Sequence, residues 1–200
     1  MRIAALLLFL LLPATLLPAV LRAQEAPPAE QLILPPLQNF KPVYQDNGKD
    51  KRVVELVPSN QTLETWSERV AIIVYVGVTG KSPKTVAETL QAEWRKDCGK
   101  FDSHPVEQQF EKSYPTSIFA MQCIDGKSAG RQPNEFLMAK IIQGIDNLYL
   151  VQHAWRGEKD KLPPPLRDEK AGEEWANFVR SVELCDSRLR GQPCGAGLRR

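Results

Sequence analysis

The segment 69–76, RVAIIVYV, restricts the fold more than any other part of the chain. Successive side chains of a strand point to opposite faces of its sheet, and here both sets are almost entirely apolar. Strands with this pattern are buried on both faces. The segment therefore predicts a strand that other elements cover on both sides.

The other predicted strands occur in pairs with short turns between them, which favours an antiparallel sheet. Asn47-Gly48 is a strong turn signal between the strands of the first pair. Together with 69–76, the pairs predict a sheet of about six to seven strands. The pairs comprise residues 40–44 with 52–57, 106–111 with 117–124, and 135–143 with 148–155.

Two amphipathic helices complete the predicted domain. The first begins at Ser82-Pro83, where serine is a good N-cap and proline is tolerated, and its apolar stripe consists of Val86, Leu90 and Trp94. The second helix ends at Cys185, and its stripe consists of Trp175, Phe178, Val179 and Val182. The fold class is thus α+β, an antiparallel sheet with two amphipathic helices packed on it.

The first 23 residues are typical of a secretory signal peptide. A positive start is followed by the apolar run 3–12, and Ala23 offers a small residue for cleavage before Gln24. An uncleaved membrane anchor is the alternative, which Pro13 and Pro18 disfavour. We expect a periplasmic or secreted protein with no integral membrane span after cleavage.

The rest of the chain divides into three parts. Residues 24–36 are rich in proline and predict a flexible lead-in, 37–185 form a single α+β domain, and 186–200 are a basic Gly/Arg tail. No internal repeat is evident in the sequence.

Four cysteines in an exported chain indicate two disulfides, for which three pairings exist. The pairing of Cys98 with Cys123 and of Cys185 with Cys194 is the most economical, because each bond closes a modest local loop. The first bond would attach a helix end to the sheet, and the second would fold back the tail. No C-x-x-C spacing occurs, which disfavours a thiol–disulfide oxidoreductase.

Four segments carry a family resemblance: LETWSE at 63–68, the stretch 135–144, the stretch 148–157 that ends in Trp-Arg-Gly, and 175–186. With them, residues 40–186 resemble an uncharacterised family of exported proteobacterial proteins. The layout is also similar to the PsbP/Mog1-like α/β/α sandwich. The resemblance implies an envelope or secreted protein and brings no catalytic residues with it.

Charge and motif spacing exclude several classes of function. Without residues 1–23, the chain has 24 basic and 24 acidic side chains, so no general field attracts nucleic acid. Gly80-Lys81-Ser82 is similar to a phosphate-binding loop, but Tyr75 occupies the position of its first glycine. Histidines are scarce and no Cys/His cluster exists, so we expect no metal and no cofactor.

A candidate binding patch lies where two predicted strands meet. Trp66 and Arg69 begin the strand 69–76, whereas His153, Trp155 and Arg156 end the strand 148–155. If these antiparallel strands pair, the two clusters come together. Exposed Trp/Arg pairs are favoured at binding surfaces. The alternative is a rim of the core, with arginine stems packed on the indoles.

We therefore expect an exported, disulfide-stapled binding or accessory protein of the bacterial envelope, with a protein or small-molecule ligand as its partner. One alternative is a hydrolase that uses His153 with a residue brought near by the fold. Another is a structural subunit of an envelope assembly. A cleft lined by His153 beside a hydroxyl or carboxylate would favour the hydrolase.

Overall fold

The computed structural model describes residues 29–126, 134–189 and Cys194. The predicted signal peptide, the first part of the lead-in and most of the tail lie outside these residues. A large antiparallel sheet and a two-stranded sheet make up the described β-structure. The strands are β1 (Glu30–Ile33), β2 (Phe40–Asn47), β3 (Lys51–Pro58), β4 (Glu68–Val76), β5 (Cys98–Ser103), β6 (Glu107–Glu111), β7 (Tyr114–Gly126), β8 (Asn134–Gln143), β9 (Asn147–Gly157) and β10 (Glu183–Asp186).

The large sheet has the order β2-β3-β4-β9-β8-β7-β5, and β6 pairs with the remaining part of β7. The helices are α1 (Pro83–Asp97), the single turn α2 (Pro164–Arg167) and α3 (Glu169–Arg180). Within the described part of the chain, no helix is long and apolar enough to cross a bilayer.

Strand β4 lies inside the large sheet, between β3 and β9. Alternate side chains of β4 enter two different apolar clusters. Ile73 packs in the cluster that contains Ala87 of α1, whereas Val70 packs in the cluster that Phe178 of α3 joins. The expectation that 69–76 is covered on both sides is thus confirmed. We call these two sides of the sheet the α1 face and the α3 face.

The α1 face holds the larger of the apolar clusters. This cluster contains Phe119 and Met121 of β7 and Leu137 and Ile141 of β8. In both strands the alternate residues between them point to the α3 face. Helix α1 begins as predicted, because the side chain of Ser82 accepts a hydrogen bond from the backbone N–H of Thr85.

The α3 face is covered by two separate pieces of chain. Helix α3 contributes Trp175 to one cluster with Phe136 and Trp155. The small sheet of β1 and β10 contributes Leu32 and Leu184 to the neighbouring cluster. The ends of the domain therefore meet on this face.

Three short strands differ from the sequence expectations. The large sheet has eight strands rather than six to seven, because β5 follows α1 directly and pairs with β7. Part of the predicted flexible lead-in is the ordered strand β1. The last helix stops at Arg180, and Cys185 lies in β10 rather than at a helix end.

Both predicted disulfides are present, Cys98–Cys123 and Cys185–Cys194. The first joins the residue after α1 to β7, as expected. The second joins β10 to the tail. Each bond closes a loop in the unfolded chain and contributes on the order of 2–4 kcal/mol.

Glu30 of β1 anchors the small sheet to the turn between β8 and β9. Its buried carboxylate accepts hydrogen bonds from the backbone N–H groups of Ile145 and Asp146, the latter at 3.1 Å, and from the hydroxyl of Tyr149 at 3.0 Å. Gly144 permits this approach, since a Cβ there would lie 2.6 Å from a Glu30 oxygen. The contact joins the beginning of the described domain to its centre.

Lys140 of β8 is fully buried on the α3 face, with 0% of its side chain exposed. Its ammonium donates to Oε2 of Glu111 at 2.6 Å, to the carbonyl of Val182 at 2.7 Å and to that of Arg180 at 3.1 Å. All three protons thus have acceptors. A buried charge is tolerated only with such partners.

We predict that Lys140→Met lowers the free energy of unfolding by about 2–4 kcal/mol, because it leaves the Glu111 carboxylate and two carbonyl groups without their donor. Urea denaturation measures the change. Lys84→Met is the matched control: its exposed pair with Glu88 at 3.8 Å contributes no more than about 0.5 kcal/mol. Equal stability of the two variants would contradict a structural role for Lys140.

Candidate functional site

The two strands of the predicted patch pair as expected. Residues Glu68 and Trp155 are directly opposite, as are Arg69 and Ala154. Trp66, which precedes β4, lies at the same end of the sheet, since the backbone N–H of Arg156 donates to the carbonyl of Ser67. The sequence reasoning therefore located both clusters at one end of the domain.

The five candidate side chains nevertheless divide between the two faces. Trp66 packs in the α1-face cluster, and the guanidinium groups of Arg69 and Arg156 lie over its ring. His153 and Trp155 are on the α3 face. His153 stacks on Trp175 of α3, and Trp155 packs in the same apolar cluster as Trp175. The structure thus forms two separate groups and not one shared surface.

The Trp66 group is a closed stack of two guanidinium groups on an indole. The guanidinium carbons of Arg69 and Arg156 lie 4.5 and 4.2 Å from the ring centroid, and Trp66 is buried. Arg69 also pairs with Glu55 at 3.0 Å. The guanidinium of Arg156 donates to the carbonyls of Trp66 and Glu64. The arrangement is the rim of the core that was the alternative interpretation.

Burial lowers the pKa of Arg156, and the neighbouring charge of Arg69 acts in the same direction against that of Glu135. The arginine is charged at any physiological pH. Its role is to hold the segment 64–66 against the sheet, since both of its described acceptors are carbonyl groups of that segment.

Trp155 is also buried, within a cluster of Phe136 and Trp175. The rings of Phe136 and Trp175 are 5.9 Å apart at 58°. The indole of Trp155 lies against the backbone of Gly157. A side chain at position 157 would prevent this contact, because its Cβ would overlap the ring. The Trp-Arg-Gly sequence at 155–157 is therefore explained by packing.

His153 lies beneath α3. Its ring stacks on that of Trp175 with centroids 3.5 Å apart and 9° between planes, and the edge of Phe178 is 5.0 Å away. Nε2 is 2.7 Å from Oε1 of Glu68. Nδ1 is buried and has no hydrogen-bond partner in the described part of the chain.

This geometry lacks a nucleophile. In a catalytic triad one ring nitrogen contacts the orienting acid and the other contacts the hydroxyl or thiol that attacks. His153 has the acid, Glu68, but no hydroxyl or thiol of the described residues bonds to Nδ1. His153 also lines none of four cavities of about 310 to 440 Å³ in the described domain.

Two cavities adjoin the N-terminus of α1 on the α1 face. One, of about 440 Å³, lies between the loop 80–83 and the β6–β7 hairpin. The other, of about 410 Å³, lies between α1 and the strand that contains Tyr75. Gly80, Lys81 and Ser82 line both, so the two cavities flank one loop. We call the pair the Lys81 groove.

Phe110 is the most exposed large apolar side chain of the described residues, with 79% of its surface accessible. It lies on β6 and lines the Lys81 groove. Burial, together with the charge of Glu93, raises the pKa of Tyr75 at the other end, so that its phenol stays neutral. The groove therefore combines aromatic rings with a lysine.

Sequence reasoning did not identify this groove. The sequence predicts a turn and helix cap at Gly80-Lys81-Ser82, which the structure contains, and an ordinary strand at 106–111, which is observed as β6. The sequence Glu-Gln-Gln-Phe-Glu at 107–111 could have indicated the groove. One aromatic residue among four polar ones is typical of a strand with no buried face, which leaves the ring exposed.

No metal site is evident, since no three His, Cys, Asp or Glu side chains of residues 29–126 and 134–189 are placed to share an ion. No family model and no curated protein matches the chain.

Two solved structures are similar to this chain over part of its length. One is the immunity protein TplEi of T6SS from Pseudomonas aeruginosa, complexed with "L" peptide: TM-score 0.42, 14% identity, covering 66% of this chain and 47% of that one. This chain thus spans about half of its length. The other is LpqN, involved in cell envelope biogenesis of Mycobacterium tuberculosis: TM-score 0.40, 9% identity, covering 80% and 86%. At these values neither neighbour argues for a function.

We predict that His153→Ala lowers the melting temperature by about 4–10 °C, because the variant loses a buried stack and leaves Glu68 without its partner. Differential scanning calorimetry measures the shift. His104→Ala removes an exposed histidine and is the matched control, with a shift within about 2 °C. An unchanged melting temperature for His153→Ala would show that the imidazole is not a packing element.

Proposed function

We propose that this protein is an exported binding protein of the bacterial envelope, and that the Lys81 groove holds an acidic, partly apolar segment of a partner protein. Two disulfides support export, since such bonds persist in oxidising compartments. The protein would act in the periplasm or after secretion.

The exposure of Phe110 is the observation that carries the proposal. A phenylalanine ring in water is unfavourable by about 1.5–3 kcal/mol relative to a buried one. Aromatic side chains beside a cavity are frequent anchors of protein interfaces. Pro115 is directly opposite Phe110 in the β6–β7 pair, and Pro83 lines the same cavity, so a partner side chain there would also meet apolar groups.

Charge favours an acidic partner. The ammonium group of Lys81 has no ionic partner in the described part of the chain, and Lys84 in the first turn of α1 forms only an exposed pair with Glu88. Glu93 lies further along the helix, at the end of the groove near Tyr75. A carboxylate of the partner that reaches Lys81 would form an ion pair with its ammonium group.

The groove is held in place before any partner arrives. The buried side chain of Gln143 accepts a hydrogen bond from the backbone N–H of Lys81 at 3.1 Å and donates to the carbonyl of Val78 at 3.1 Å. The Ser82 cap fixes the next residue of the loop. A preorganised loop loses little entropy on binding, which strengthens the interaction.

A hydrolase is less well supported by this geometry. His153 would be its base, but the imidazole is covered by Trp175 and bonds to no hydroxyl among the described residues. The functional surface that we propose is instead on the opposite face of the sheet.

The proposal is tested by placing a photo-crosslinking phenylalanine analogue at Phe110 in the native host. We expect a specific protein adduct. The same analogue at Tyr44, which is 43% exposed on the edge strand β2, is the matched control and should give none. Lys81→Glu should abolish the adduct at 110, while Lys81→Arg should retain it, because only the first reverses the charge.

Adducts of equal yield at positions 44 and 110 would contradict a specific surface at Phe110. Adduct formation that survives Lys81→Glu would contradict the acidic partner. Normal melting temperatures of all variants are required for either conclusion.

A further inference from the structure

A third cavity, of about 310 Å³, opens on the α3 face, away from the Lys81 groove. It lies between the second half of α3, strands β7 and β8, and the segment 104–107 that leads into β6. Its volume is at the lower end of the range for small-molecule sites. We call it the Arg180 pocket.

The floor of the Arg180 pocket is apolar. Ile118 of β7 and Met138 of β8 point to the α3 face and remain half-buried, although the residues beside them in the sheet are buried. Val179 of α3 forms one wall. Helix α3 therefore leaves a strip of the sheet uncovered, and burial of apolar groups there would be favourable.

Three titratable residues line the pocket and are exposed to solvent: Arg180, His104 and Glu107. The Arg180 side chain forms no ion pair within the described residues. Guanidinium groups bind carboxylates in a bidentate manner, which distinguishes them from a simple positive charge.

Three contacts fix the walls. The carbonyl of Arg180 accepts a bond from buried Lys140, and the backbone N–H of His104 donates to the carbonyl of Ala120 at 3.0 Å. The carbonyl of His104 accepts from the side chain of Gln91 at 3.3 Å. The pocket is thus formed in the absence of a ligand.

We infer that the Arg180 pocket binds a small amphipathic monocarboxylate, whose apolar body covers Ile118 and Met138 and whose carboxylate pairs with Arg180. A monocarboxylate with an apolar body fits this pocket, because the floor is apolar and Arg180 has no ion-pair partner among the described residues. Glu107 disfavours a second anionic group on the same ligand. The inference does not rest on the proposed function, because the Lys81 groove is on the other face.

Sodium octanoate tests the inference, with 1-octanol and octylamine as neutral and cationic controls of equal chain length. Titrations are followed by the ¹³C-labelled methyl resonances of Met138 and Ile118, with Ile73 of the α1 face as an internal reference. We expect octanoate to shift Met138 and Ile118 but not Ile73. Its affinity should exceed that of either control by about tenfold, the contribution of one charged hydrogen-bonded pair.

Two variants localise the effect. Arg180→Met should reduce octanoate affinity about tenfold, to that of 1-octanol, whereas Arg167→Met is the matched control and should leave it unchanged. Ala176→Leu should weaken all three ligands by filling the pocket. Equal binding of octanoate and 1-octanol, shifts at Ile73 in place of Met138, or no shift up to the solubility limit would overturn the inference.

Discussion

The ammonium group of Lys140 determines how the α3 face is assembled. It lies on a central strand without solvent contact and bonds to the edge strand β6 through Glu111 and to the end of α3 through two carbonyl groups. Because a buried ammonium without acceptors costs several kcal/mol, other arrangements of these three elements are disfavoured. The position of α3 in turn determines the cover over His153 and the wall of the Arg180 pocket.

A second polar contact completes the same layer. Glu30 joins β1 to the turn after β8, and β1 pairs with β10, so the two ends of the described domain close over the α3 face. The α1 face is different: its cover is one helix that is attached through the Cys98–Cys123 bond and its Ser82 cap. Each layer nevertheless leaves a cavity at the surface, the Lys81 groove beside α1 and the Arg180 pocket beside α3.

Local patterns predicted most of the large sheet, the two longer helices and the two disulfides. Strand β4 and the β8–β9 pair were recognisable because each has a long apolar or alternating pattern. The short strands β1 and β10 were not, since each has four residues and its pairing joins Glu30 to Asp186 across the chain. A pattern of neighbouring residues cannot predict a contact between segments so far apart in the sequence.

The candidate site shows a related limit. Sequence reasoning brought the two clusters of Trp and Arg to one end of the sheet, which is their location. The predicted patch neglected that neighbouring side chains of a strand point to opposite faces of the sheet. Glu68 and Arg69 are adjacent in sequence but lie on different faces for this reason. At that end the imidazole of His153 and the guanidinium of Arg69 make internal contacts. The most exposed aromatic ring of the described residues is instead Phe110, on a strand with no other apolar residue.

Amide hydrogen exchange of the protein isolated with its native partner, compared with the protein alone, tests the central claim that binding occurs on the α1 face. The account predicts slower exchange in the segments 78–85 and 107–116, on the two sides of the Lys81 groove. It predicts no change in 153–157 or 173–180. Protection confined to these last two segments would contradict the account, because the partner would then bind on the α3 face.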